Sequence, residues 1–178
     1  VGTGLAASAA LLAPLPARAA RRRTLGLARA ATFPAGVASG LPTERGITLW
    51  TQADGLERAG RLVVEIARDP GFRRVVRRQG VLAVPEHGYA AKTRISGKGL
   101  APGDEYFSRF ASAETSSPVG RFRTARPADS NEPLRIGFFS CQSFTAGYYS
   151  AHHGLAAEDC DVVLCLGDYM YERNGSGV

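Results

Sequence analysis

The chain has 178 residues, of which 44% are hydrophobic, a composition typical of globular proteins and not of disordered ones. Its formal net charge of +6 makes a nucleic-acid-binding surface the first function to test. Residues 1–32 carry five arginines and no acidic residue, whereas the rest of the chain carries 17 basic and 16 acidic side chains. Because the excess charge belongs to the N-terminal leader, we expect no nucleic-acid-binding face.

The first twenty residues, VGTGLAASAALLAPLPARAA, have the hydrophobic region and the A-x-A motif of a secretory signal peptide. The run is too short and too interrupted by proline to cross a bilayer of about 30 Å as a permanent anchor. We therefore assign residues 1–32 to a signal peptide remnant and leader, and a second A-x-A motif at 28–30 leaves the cleavage site open. We expect an exported protein (periplasmic, cell-wall or extracellular) that uses the export machinery, with the twin-arginine route as one option. The alternative is a low-complexity tail without a targeting role.

Residues 33–125 contain short segments in which apolar and polar residues alternate with a period of two, as in half-buried strands. Proline and glycine separate these segments where the backbone must turn. The pattern predicts a β-sandwich of six or seven strands, of the immunoglobulin or fibronectin type III kind, with Trp50 in its core. The predicted strands are residues 46–53, 61–69, 75–84, 89–97, 105–113 and 120–125.

Residues 126–133, RPADSNEP, form a predicted linker, after which the sequence pattern changes. Two continuous apolar segments, 134–141 and 161–168, flank a predicted helix at 144–158. Strands that are apolar on both faces indicate the first βαβ unit of a parallel sheet covered on both sides. Because two strands cannot close such a core, we interpret residues 134–178 as the beginning of a truncated domain, and the chain as an N-terminal fragment of a longer protein.

Chemically reactive side chains follow both apolar strands. Cys141 and Gln142 lie at the end of the first strand, and Asp168 and Tyr171 follow the second strand after Gly167. In an open α/β sheet, ligands bind beyond the carboxyl ends of the strands, so neighbouring strands would place Cys141 and Asp168 side by side. A thiolate, a phenolate and a carboxylate at one place suit ferric iron, and the carboxylate remains free to bridge to a second cation.

In their order along the chain, several segments resemble the PhoD-type alkaline phosphatase/phosphodiesterase family of the calcineurin-like metallophosphoesterases. The segments are FPAGVASGLPTERGITLWTQ, LAPGDEYFSRF, SSPVGRFRTA and FFSCQSFTAGYYSAHHGLAAEDCDVVLCLGDYMYE. The resemblance implies a β-sandwich followed by a four-layer αββα catalytic domain, export, and hydrolysis of phosphate mono- or diesters. It also implies Fe³⁺ and Ca²⁺ as cofactors, with Cys141 and Tyr171 on the iron and Asp168 linking the iron to calcium. Further ligands would come from later strands, so we expect the 178-residue chain alone to be inactive.

Each candidate residue also has a purely structural interpretation. Cys141 could be a buried thiol or pair with Cys160, and Asp168 could simply form a turn. Glu172 and Gln142 are candidates for orienting the ligands from outside the site, and a plain surface role is equally open for Glu172.

Four other residues are assigned structural roles. The family resemblance selects Tyr171 as the ligand, which leaves Tyr169 for packing. Cys165 is expected to be a buried apolar residue. His152 and His153 lie in the middle of the predicted helix, away from the strand ends, and are expected to pack or to be solvated.

Parts of the sequence suggest two other functions. A secreted β-sandwich module for binding or adhesion is the alternative to the enzyme. A nucleotide-binding βαβ unit is disfavoured because the first strand is followed by SCQSFTAG and not by a G-x-G-x-x-G motif.

Overall fold

The computed structural model describes residues 25–143 and 148–171. These residues form nine β-strands, one α-helix and a short 3-10 turn at Pro85–His87. The strands and the helix are β1 (Val37–Thr43), β2 (Gly46–Gln52), β3 (Gly60–Ala67), β4 (Val75–Ala83), β5 (Ala90–Ser96), β6 (Glu105–Ala111), β7 (Gly120–Arg123), β8 (Ile136–Phe139), α1 (Ser150–Ala157) and β9 (Val162–Cys165). Within residues 25–143 and 148–171, no helix combines the length and the apolar composition that spanning a bilayer requires.

The first seven strands form two antiparallel sheets that share one apolar core. The strand order is β1-β2-β5 in the first sheet and β4-β3-β6-β7 in the second. Ile47 and Leu49 of β2 pack in the same core as Leu62 of β3 and as Tyr106 and Phe110 of β6. The prediction of a mostly β N-terminal part is therefore confirmed. The assignment of the two sheets to the immunoglobulin or fibronectin type III class stays a prediction.

Two details of this part differ from the sequence-based expectations. Trp50 is only half-buried and lies on the face of β2 opposite to Ile47 and Leu49, so its placement in the core was wrong. Strand β1 was not predicted, because its sequence VASGLPT contains glycine and proline and lacks the alternating pattern. It is nevertheless a strand, because it pairs with β2 from Val37 opposite Thr51 to Gly40 opposite Thr48.

The last two strands form a separate, parallel pair with α1 between them in sequence. Ile136 lies opposite Val162, and Phe139 lies opposite Cys165. One face of this pair contacts the helix region: a Cβ added at Gly137 would lie 2.7 Å from Leu155 of α1. Of the predicted helix at 144–158, residues 150–157 are helical, and 144–147 lie outside the described residues.

The strand pair is far more exposed than the continuous apolar pattern predicted. Phe138 is 67% exposed, and Leu164 and Leu166 are also exposed, so the expected burial on both faces is wrong for the described residues. Cys165 is likewise exposed and not a buried apolar residue. The described residues supply no apolar layer against the face of the strand pair opposite to α1. The apolar pattern of a strand shows that the strand can be buried, but it does not specify which part of a protein covers that strand.

Candidate metal site

The candidate site lies just beyond the carboxyl ends of β8 and β9. The backbone N–H of Leu166 donates to the carbonyl of Phe139 at 2.8 Å, and the N–H of Cys141 donates to the carbonyl of Gly167 at 3.3 Å. These two bonds continue the parallel pairing past the last residues of both strands. Cys141 and Asp168 therefore leave the sheet side by side and at the same end, as the sequence predicted.

The backbone turns sharply at each of these positions. Cys141 has a φ of 53° and Asp168 a φ of 47°, which is the left-handed region that side chains other than glycine rarely adopt. Between the strand and Asp168, Gly167 has a φ of 145°, a conformation open essentially to glycine alone. Left-handed residues also occur in the sandwich, at Leu41 within β1 and at Phe72 between β3 and β4, so this backbone conformation does not by itself indicate a function.

Three side chains meet at one carboxylate oxygen. The phenol of Tyr171 donates to Oδ2 of Asp168 at 3.1 Å, and the thiol of Cys141 approaches the same oxygen at 3.5 Å. All three residues are exposed to solvent. Desolvation and then the hydrogen bond to Asp168 raise the pKa of Tyr171 to about 12, because both favour the neutral phenol. In this arrangement Asp168 holds a protonated Tyr171 in place.

The donor set fits a metal ion in chemistry and in accessibility. The sulfur of Cys141 and the phenol oxygen of Tyr171 each lie within hydrogen-bonding distance of one carboxylate oxygen of Asp168, and all three residues are exposed. A cation among them would stabilise the phenolate and so oppose the present rise in the pKa of Tyr171. The set is small, however: the described residues contain no group of three or more His, Cys, Asp or Glu side chains suited to hold a metal ion.

The remaining predicted residues are Gln142, Glu172 and Tyr169. Gln142 lies beside Cys141, and its Oε1 atom is buried without a hydrogen-bond partner among the described residues. Glu172 lies outside the described residues. Tyr169 is 71% exposed, so its expected packing role is wrong.

Cys160, Cys165 and His152 do not belong to the candidate site. Cys141, Cys160 and Cys165 are all free thiols, so no Cys141–Cys160 disulfide is present. The ring of His152 lies 4.5 Å from that of Phe139 in an edge-on contact, a packing role and not a ligand position.

Asp161 is the residue that the sequence analysis missed. It directly precedes β9, and its carboxylate contacts Arg123, Arg126 and the backbone of Arg135. The only signal in the sequence is the acidic run EDCD at residues 158–161, which does not specify any pairing.

Both parts of the chain match models of one protein family. Residues 19–126 match the family described as "PhoD-like phosphatase, N-terminal domain", and residues 136–178 match the family described as "PhoD-like phosphatase". The two matched ranges lie on either side of a short segment, residues 127–135.

Comparisons with individual proteins give the same result. The chain is 36% identical over 149 residues to alkaline phosphatase D of Bacillus subtilis (strain 168), covering 79% of this chain and 25% of that protein. It is also similar to a solved structure titled "Structure of PhoD", with a TM-score of 0.72 and 34% identity, covering 79% of this chain and 28% of the other. The chain thus spans about a quarter of the length of the curated relative that it matches.

Proposed function

Because the chain belongs to the PhoD-like phosphatase family, we propose that it is part of an exported, metal-dependent hydrolase of phosphoric esters, an alkaline phosphatase or phosphodiesterase. Similarity extends over both the sandwich and the strand pair, which favours an enzyme over a secreted binding module made of the sandwich alone. Export is supported by the hydrophobic leader with its A-x-A motif. We propose the division into leader, sandwich at 33–125, linker at 126–133 and the beginning of a catalytic domain at 134–178.

The observation that carries the proposal is the meeting of Cys141, Tyr171 and Asp168 at one oxygen, with distances of 3.5 Å and 3.1 Å to Oδ2 of Asp168. Cys141 and Tyr171 would hold Fe³⁺, and Asp168 would link it to Ca²⁺. When bound, the cations would supply the positive charge that neutralises phosphoryl oxygens during ester hydrolysis. The strand ends orient the three side chains toward the open side of the sheet, where a phosphate ester has access to them.

Iron binding by variants of the full chain tests this assignment. Tyr171→Phe removes the phenol oxygen, and we expect it to lower the iron content and the visible absorption that iron–phenolate bonding produces. Tyr169→Phe is the matched control, because Tyr169 lies two residues away and is 71% exposed without a contact to Asp168. Cys141→Ser and Cys165→Ser form a second pair, since both thiols are exposed and only Cys141 contacts Asp168. Equal iron content in Tyr171→Phe and Tyr169→Phe would rule out Tyr171 as a ligand.

Turnover by the 178-residue chain is a separate question. Calcium takes about six to eight oxygen ligands, and among the described residues the candidate site offers three donor side chains, so we propose that the chain alone does not hydrolyse phosphate esters. The measurement is the release of nitrophenol from nitrophenyl phosphate and from its diester, with iron and calcium added. Hydrolysis above the buffer blank that disappears in Asp168→Asn would contradict this expectation.

A further inference from the structure

Asp161 lies at the end of the strand pair opposite to the candidate site. Its side chain is only 12% exposed, and Oδ1 is 3.3 Å from Nη1 of Arg123 and 3.3 Å from Nη2 of Arg126. Its other oxygen, Oδ2, accepts the backbone N–H of Arg135 at 3.0 Å, and the backbone N–H of Asp161 donates to the carbonyl of Arg135 at 2.9 Å. One carboxylate therefore connects β7 of the sandwich, the linker and the beginnings of both parallel strands.

Arg126 makes the linker part of this arrangement. Its side chain is 18% exposed, and Nη1 donates to the carbonyl of Glu132 at 3.1 Å and also to the carbonyl of Pro133. The same guanidinium pairs with Asp161. Since the first residue of the linker bonds to its last two, the linker is a closed turn and not an extended tether. We call Arg123, Arg126, Arg135 and Asp161 together the Asp161 junction.

Apolar packing contributes little to the contact between the two parts. Every buried hydrophobic residue among those described lies at or before Phe122, within the sandwich and the segment leading into it. Beside the junction there is a cavity of about 500 Å³ between the sandwich and β9, with Leu41 on one side and Val162 and Leu164 on the other. Ion pairs, and not a shared apolar core, therefore connect the sandwich to the strand pair, and the cavity lies beside these ion pairs.

We propose that the Asp161 junction sets the orientation of the strand pair on the sandwich and so makes Asp161 a positioning residue for the strand ends that carry Cys141 and Asp168. A carboxylate shielded from water interacts strongly with its guanidinium partners, and removing it leaves Arg123 with only its ion pair to Glu105 at 3.6 Å and Arg126 with only its ion pair to Glu132 at 3.4 Å among the described residues. The junction also fixes where β8 and β9 begin, through the reciprocal bonds between Asp161 and Arg135. The inference concerns the described residues only and does not depend on the proposed activity or on any metal.

Asp159 provides a matched control two residues earlier. It also pairs with arginines, with Arg121 at 3.1 Å and with Arg135 at 3.8 Å, but its side chain is 57% exposed. Exposed ion pairs contribute little, so Asp159→Asn is expected to leave the arrangement unchanged. Asp161→Asn keeps the size of the side chain, removes the charge and replaces one acceptor oxygen by an NH2 donor.

The experiment is amide hydrogen exchange on the full chain, read separately for residues 126–139 and for the core strand β3. In Asp161→Asn we expect exchange at 126–139 to rise by about tenfold or more, with β3 unchanged, because loosening is local. Small-angle scattering should show a larger radius of gyration in the same variant. Arg126→Gln leaves Asp161 in place and should reproduce both effects. If Asp161→Asn also lowers the protection of β3, Arg126→Gln becomes the deciding variant. Exchange and radius equal to those of Asp159→Asn in both variants would overturn the proposal.

Discussion

Glu65 of β3 is the only buried acidic residue among those described, and two arginines surround it. Its Oε1 accepts from Nε of Arg78 at 2.7 Å, and its Oε2 lies 2.7 Å from Nη2 of Arg109. Burial alone would raise the pKa of Glu65, but the hydrogen bonds and charges of the two arginines outweigh it and lower the pKa below its ordinary value of 4.5. The carboxylate therefore stabilises the fold above pH 4.5, and this contribution is lost as the pH falls through the lowered pKa.

Substitution of Glu65 by glutamine should destabilise the sandwich in a pH-dependent way. At pH 7 we expect the free energy of unfolding to fall by about 1–3 kcal/mol, because two guanidinium groups lose their counter-ion and one of them is partly screened by solvent. The difference from the unmodified chain should shrink at a pH well below 4.5, as the pH passes the lowered pKa of Glu65 and the carboxylate becomes protonated. Urea denaturation at both pH values measures it.

Glu114→Gln is the control for that experiment, since its ion pair with Arg29 is exposed on both sides. It should change the free energy of unfolding by less than about 1 kcal/mol. A loss at Glu65 that is the same at both pH values would show that packing, and not charge, is responsible.

The candidate site was predictable residue by residue only where a local rule applies. Cys141 and Asp168 follow apolar strands, and the rule that ligand sites form at the carboxyl ends of parallel strands predicts their meeting. Tyr171 was predicted as a ligand from the family resemblance alone, because the spacing of Tyr169 and Tyr171 does not show which of them faces Asp168. Asp161 was missed because its partners Arg123 and Arg126 lie more than thirty residues away, and no local pattern encodes such a contact.

At the scale of single elements, β1 and β7 close one side of the sandwich. They belong to different sheets, and Gly120 at the start of β7 lies directly against Val37 of β1. A Cβ at position 120 would be 2.6 Å from Cγ2 of Val37, a distance that two carbon atoms do not adopt. Valine is branched at Cβ and has few alternative rotamers, so the strands themselves must separate.

Gly120→Ala should therefore lower the free energy of unfolding by about 1–3 kcal/mol, as overpacked core positions do. Gly40→Ala in β1 is the matched control, because a Cβ there meets no atom within 4 Å. That change should be neutral or stabilise by up to about 1 kcal/mol, since alanine reduces the entropy of the unfolded chain. The measurement is urea denaturation of both variants, and equal stabilities would mean that β1 and β7 do not pack as described.

The positions of the sandwich strands could largely be predicted from the sequence, but the residues that cover each face of a strand could not. Alternation predicted a strand at residues 46–53, and β2 is Gly46–Gln52. The same alternation does not identify the inner face, because a shift by one residue exchanges the two faces; this is why Trp50 was placed in the core wrongly. For β8 and β9 the apolar pattern predicted the strands and their side-by-side course, but the layers that cover a strand are set by distant parts of a chain.

At the scale of the whole molecule, stability is unevenly distributed. The sandwich contains all the buried hydrophobic residues described between β1 and β9, whereas β8, α1 and β9 contain none that is buried. Hydrophobic burial is the main favourable term in folding, so the strand pair depends on its backbone pairing and on the Asp161 junction. Regions with few buried apolar contacts open with lower free energies than cores do.

We therefore expect the chain to unfold in two stages. Trp50 is the single tryptophan and lies in β2, so its fluorescence reports the sandwich alone. The reactivity of Cys160, the half-buried thiol beside Gly137, reports the strand pair. In a urea titration the thiol should become fully reactive before the fluorescence of Trp50 changes, because the strand pair can open while the sandwich core stays closed. Coincident midpoints for the two signals would show that the parts unfold as one unit, and that the sandwich stabilises the strand pair more strongly than its exposed apolar residues suggest.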